Sequence, residues 1–119
     1  MDAQRSVLIV DESADSREVL RTVLEHRGMR ILEASQADEG LDLARRHQPD
    51  LIVLDLELQS SPPEYPSELA AQATHQTPLV MLGSARRRAG GRHIGEFMSK
   101  PYHYAPLVRR IEQLLEAGQ

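Results

Sequence analysis

Residues 6–13 read SVLIVDES. Val7 to Val10 form an unbroken aliphatic run that stops at once on Asp11 and Glu12. A strand buried on both faces of a sheet reads this way, whereas a strand with one wet face alternates. The same signature returns at residues 50–58, DLIVLDLEL, where Leu51 to Leu54 end on Asp55. Two such strands ask for a parallel sheet with helices on both faces. The sequence between them supplies the first two helices. SADSREVLRTVLEHRG offers Ser13, Asp15 and Ser16 as N-caps, sets Val19, Leu20, Val23 and Leu24 on one stripe, and stops at Gly28, predicting a helix over 15–27. MRILEA, residues 29–34, fits a second, less buried strand, and QADEGLDLARRHQP a second helix closed by Pro49. Beyond Asp55, QSSPPEYPS (59–67) reads as a loop and SELAAQATHQ (67–76) as an alanine-rich helix. PLVML and GEFMS read as short strands, and YAPLVRRIEQLLEA (104–117) as a final amphipathic helix. Strands alternate with helices throughout, so right-handed crossovers should wind a five-stranded parallel α/β sheet.

Composition narrows the function classes. A chain of 119 residues matches one domain, residues 1–119, with a single core. No apolar run approaches a membrane span, and MDAQRS lacks the form of a signal peptide, so a cytoplasmic location is expected. Cysteine is absent, which excludes disulfides, thiolate catalysis and cysteine-bound metals, leaving oxygen or imidazole as metal ligands. The five histidines show no paired spacing on one face. Neither a Gly-x-Gly-x-x-Gly fingerprint nor a P-loop follows the first strand, so nucleotide cofactors lack their usual cradle. Charge is uneven. Residues 83–100 carry Arg86, Arg87, Arg88, Arg92 and Lys100 against Glu96, a surplus of +4 in a chain of net charge −4, so the remainder stands at −8.

In a doubly wound sheet of order 2-1-3-4-5, strands one and three are neighbours, and ligands bind beyond their carboxyl ends at the switch in strand order. Asp11, Glu12 and Asp55 would converge there. Clustered carboxylates raise one another's pKa unless a cation lies between them, and an oxygen-only site favours Mg²⁺ or a similar hard cation. Taken singly, the same acids also serve as favourable charges at a helix start or as strand terminators.

VLIVDES, DLIVLDL and FMSKP, in this order and at these distances, resemble the receiver domain of two-component response regulators across essentially the whole chain. The resemblance implies a flavodoxin-like receiver fold. It implies that Asp11, Glu12 and Asp55 bind Mg²⁺, with the backbone carbonyl of Glu57 as a further ligand. Asp55 would accept a phosphoryl group from a histidine kinase or phosphotransfer protein, and Lys100, before a cis proline, would contact the phosphoryl oxygens. Asp55 is then a carboxylate nucleophile, and positioning and electrostatics carry the transfer.

Four departures from the family mark the switch region. Gly83 stands where the family has the Thr or Ser that ends strand four. Ser84 follows it, its hydroxyl directed away in unchanged register unless a bulge at Gly83 turns it back. Phe97 replaces the usual switch aromatic without a phenol and reads as core packing. Glu57, two residues past Asp55, stands where the family has a side chain that tunes dephosphorylation, and its plainest reading is a solvated rim charge. The segment between Gly83 and Lys100 is too short for a complete helix and is broken by Gly90-Gly91, so a shortened or absent fourth helix is expected. An output domain or partner protein would meet residues 83–105. The readings are a phosphoryl-accepting receiver with an altered switch, or a pseudo-receiver kept as a protein-interaction module. A nucleic-acid role for the Arg86 to Arg92 stretch is weak, because no aromatics interleave with the cations.

Overall fold

The computed structural model describes residues 4–58, 64–72, 77–84 and 95–117. Five strands, β1 (Ser6–Val10), β2 (Arg30–Ala34), β3 (Leu51–Asp55), β4 (Leu79–Gly83) and β5 (Glu96–Ser99), pair in parallel in the order β2-β1-β3-β4-β5. Among the described residues four helices complete the architecture: α1 (Ala14–His26), α2 (Ala37–His47), α3 (Tyr65–Gln72) and α4 (Tyr104–Ala117). This is the doubly wound sheet expected from the sequence.

Strand alternation divides the core in two. Val7 and Ile9 of β1, Leu51 and Val53 of β3, and Val80 and Leu82 of β4 pack with Leu20 and Leu24 of α1 and Leu107, Val108 and Ile111 of α4. The opposite faces of the same strands, Leu8, Val10, Ile52, Leu54, Leu79 and Met81, pack with Ala37 and Ala44 of α2 and Tyr65 and Leu69 of α3. The runs Val7–Val10, Leu51–Leu54 and Leu79–Leu82 are therefore apolar throughout because each is covered twice. The edge strand β5 is only half-buried, and Glu96 there pairs with Arg110 of α4 at 2.7 Å.

Helix ends follow their capping residues. Of the three N-cap candidates for α1, Ser13 serves, its Oγ accepting the Ser16 N–H at 3.2 Å. Gly28 takes a φ of +89° just past the helix, a conformation that favours glycine. α2 ends on Gln48 at φ 45°, whose side-chain amide donates to the Ala44 and Arg45 carbonyls before Pro49.

α3 begins at Tyr65, two residues earlier than the sequence reading placed it, because Pro66 suits the first turn of a helix as well as a loop. Tyr65 is fully buried, and its hydroxyl donates to the Ala37 carbonyl at 2.6 Å. A Cβ on Gly40 would lie 2.4 Å from that hydroxyl oxygen, so the glycine is what lets α2 and α3 approach. The expected shortening or loss of the helix between β4 and β5 concerns residues 85–94, outside the described residues, as do Arg86, Arg87, Arg88, Arg92 and His93.

Candidate phosphoacceptor site

The register Val10↔Leu54 between β1 and β3 sets the next residues, Asp11 and Asp55, side by side at the carboxyl edge of the sheet. Both are buried, at 8% and 7% exposure. Their placement follows from local hydrogen bonds. The Asp11 N–H donates to the Ala34 carbonyl at 3.0 Å, and Asp11 Oδ1 accepts the Ser13 N–H at 2.9 Å. The residue that caps α1 thereby also fixes Asp11, two residues before it. Arg17 donates to the Asp11 carbonyl and, through Nε, to Glu33 Oε1 at 3.0 Å, while Arg21 reaches Glu33 Oε2 at 2.6 Å.

Asp55 Oδ1 accepts the Glu57 N–H at 3.0 Å and the Lys100 ammonium at 2.9 Å. Lys100 is aimed inward by its backbone, whose N–H donates to the Gly83 carbonyl at 2.8 Å, and its bond to Pro101 is cis. Lys100 Nζ also donates to Glu57 Oε1 at 3.2 Å, and the Ser84 N–H to Glu57 Oε2 at 3.2 Å. Glu57 is a partly exposed rim charge that is also paired, through Lys100 and the Ser84 N–H. The sequence reading missed this because the contact depends on where β4 and Lys100 arrive in space.

Electrostatics agree with the geometry. Burial is the main cause that pushes the Asp11 carboxyl above its ordinary range. The Ser13 N–H works against the shift, and the neighbouring Asp55 adds to it. Burial disfavours the Lys100 ammonium, but its hydrogen bonds to Asp55 and Glu57 prevail and raise its pKa. The Lys100 hydrogen bond and charge hold Glu57 low, with Ser84 assisting. Tyr102, edge-on to Tyr104 at 5.5 Å between ring centroids, has its phenol pushed up by burial, by Tyr104 and by the acids; the sequence reading had not singled it out.

The three acids do not all converge. Asp11 turns inward onto the Ser13 N–H, whereas the next residue, Glu12, is exposed. Among the described residues no three acidic or imidazole side chains form a ready-made cage. The pair that does meet still fits a small hard cation. Two buried carboxylates face one another, the ammonium contacts only Asp55 of the two, and burial together with Asp55 raises the Asp11 pKa.

The switch positions are equally definite. Gly83 stays in unbroken register with Ser99, without a bulge. Ser84, one residue past the strand, meets Glu57 through its N–H, and its side chain also helps hold the Glu57 carboxyl low. Phe97 is half-buried and packs against the core on the α2 and α3 side.

The model of the response regulator receiver domain matches residues 7–112. The chain belongs to the response regulator receiver family. It is 31% identical over 114 residues to the transcriptional regulatory protein CpxR of Escherichia coli, covering 92% of this chain and 48% of CpxR. It is also 31% identical over 118 residues to the phosphate regulon transcriptional regulatory protein PhoB of the same organism, covering 93% of this chain and 52% of PhoB. The chain thus spans about half the length of these curated relatives. A CheY-like receiver domain protein from Methanospirillum hungatei shares the fold, with a TM-score of 0.86 over 98% of this chain and 97% of that one at 20% identity. NtrX from Brucella abortus matches with a TM-score of 0.83 at 26% identity over 98% of this chain and 28% of its own. Receiver domains are signalling domains that a kinase phosphorylates, and they generally bind Mg²⁺ at the phosphorylation site. Among the described residues no helix is long and apolar enough to cross a membrane.

Proposed function

We propose that residues 1–119 act as a receiver in which Asp55 accepts a phosphoryl group from a histidine kinase or phosphotransfer protein. The observation that carries this reading is the Lys100 ammonium 2.9 Å from Asp55 Oδ1, beside a second buried carboxylate at Asp11. Asp55 is the nucleophile. The Glu57 N–H and Lys100 Nζ orient one of its oxygens, and Lys100 then stabilises charge on the incoming group. Asp11, Asp55 and the main-chain carbonyl of Glu57 would hold Mg²⁺, with Glu12 contributing from the rim. When bound, the ion supplies positive charge that neutralises phosphoryl oxygens.

Output is read at the β4–β5 side of the site, toward a partner protein or domain that meets residues 83–105. Gly83 has no hydroxyl and Phe97 no phenol, so the coupling between acceptor and surface is altered there. The same two residues favour a second reading, a pseudo-receiver kept for docking with weak or no phosphorylation. Intact-mass measurement with acetyl phosphate and Mg²⁺ separates the two. A gain of one phosphoryl group that Asp55→Asn abolishes supports the receiver, and no Asp55-dependent gain refutes it in favour of the docking module.

A further inference from the structure

Two donors meet Asp55 Oδ1, Lys100 Nζ and the Glu57 N–H, and a third, the Ser84 N–H, meets the neighbouring Glu57 carboxylate. Lys100 Nζ and the Ser84 N–H together hold one anion belonging to the chain itself, and Lys100 shares it with Asp55. Glu57 Oε1 accepts from Lys100 Nζ and Glu57 Oε2 from the Ser84 N–H, each at 3.2 Å. One carboxylate therefore bridges the end of β4 and the lysine that follows β5, beside the residue that would carry the phosphoryl group. A carboxylate and a phosphoryl group present similar oxyanions to an ammonium and a backbone N–H. They cannot use the same donors at once without repulsion between like charges. The Glu57 side chain is 39% exposed, so it can leave for solvent without abandoning a buried site.

We propose that Glu57 is an internal oxyanion that occupies the phosphoryl-binding donors at Lys100 and Ser84 until transfer, so that phosphorylation exchanges one anion for another. This inference rests on the reading of Asp55 as acceptor. With acetyl phosphate, an Asp55 carboxylate oxygen forms the new P–O bond as the bond from phosphorus to the acetate oxygen breaks. Acetate leaves with the electron pair, and no proton need move. Before or during that step Glu57 releases Lys100 and Ser84, and it returns when the phosphoryl group is lost. Glu57 is a positioning residue that sets how readily the site accepts.

The test compares wild type, Glu57→Gln, Glu57→Ala and Asp55→Asn with acetyl phosphate and Mg²⁺, followed by intact mass, together with beryllofluoride titrations. Both Glu57 variants should accept the phosphoryl group about fivefold faster, the factor set by one partly exposed ion pair. Both should also bind beryllofluoride more tightly, and the gap to wild type should narrow in high salt as the pair is screened. Asp55-dependent labelling that is equal or slower in both variants overturns the inference and leaves the acceptor reading intact. Absence of Asp55-dependent labelling in every form, with the thermal unfolding of each unchanged, overturns both.

Discussion

Asp11→Asn should stabilise the metal-free protein. Burial of the Asp11 charge and its repulsion from Asp55 on the paired strand both oppose ionisation, and two like charges at about 5 Å repel by about 3 kcal/mol in an effective dielectric of about 20. Lys100 lies on Asp55, and the site is not wholly dry, which reduces the repulsion to about 1–2 kcal/mol. Asparagine keeps an oxygen for the Ser13 N–H, but a neutral acceptor forms a bond weaker by about 0.5 kcal/mol. The net gain is about 1 kcal/mol, or about 3–6 °C in Tm for a chain of this size. Thermal unfolding in EDTA at neutral pH measures it. The Asp11 pKa is raised in the fold, so its contribution to stability is fully present below the ordinary carboxyl value and is lost as pH rises through the raised one. The advantage of the variant should therefore shrink as pH falls toward the ordinary carboxyl range. Mg²⁺ at ten times its Kd should stabilise the wild type by about 1.4 kcal/mol and the variant by much less. An Asp11→Asn protein that melts below wild type in EDTA would refute the claim that the buried Asp11 charge is unfavourable beside Asp55.

Lys100→Met removes the cation from Asp55 and Glu57 and should cost about 1–3 kcal/mol in urea unfolding without Mg²⁺, the penalty of a buried carboxylate left without its charge partner. Gly40→Ala forces a Cβ into the Tyr65 hydroxyl and should cost about 2 kcal/mol; in Tyr65→Phe the same change should cost less, a non-additivity visible in a double-mutant cycle. Gly95→Ala would set a Cβ 2.1 Å from the Leu79 carbonyl oxygen, and chemical denaturation should report a loss of about 2–3 kcal/mol as β5 is pushed off β4.

Much of the architecture was legible because its causes are local. Four consecutive aliphatic residues ending on an acid specify a doubly covered strand, and β1 and β3 carry that pattern without interruption. Ser13, Gly28 and Pro49 punctuate the helices as capping chemistry requires. What stayed hidden depends on contacts distant in sequence. Tyr65 followed two prolines and read as loop, yet Gly40 and the Ala37 carbonyl, 25 and 28 residues away in sequence, make it core. Asp11 and Asp55 were placed together by the strand order alone. Glu12 was not separable from Asp11 until the Ser13 N–H showed which of the two turns inward. Glu57 read as a surface acid because nothing near it in sequence announces Lys100, which reaches it only after β5 has joined the sheet.

The Tyr65 anchor also bears on how this chain can change. On one side of residues 59–64, Asp55 is fixed by β3, and Leu58 is tied back to it by an N–H to the Asp55 carbonyl at 3.2 Å. On the other, α3 is pinned to α2 through Tyr65, independently of the acids. Asp55 and Tyr65 are thus secured to different parts of the molecule. Loosening α3, as in Tyr65→Phe, should therefore leave the Asp55 contacts to Glu57 and Lys100 in place. The α3 edge can be remodelled for new recognition while the carboxylates stay where β1 and β3 put them.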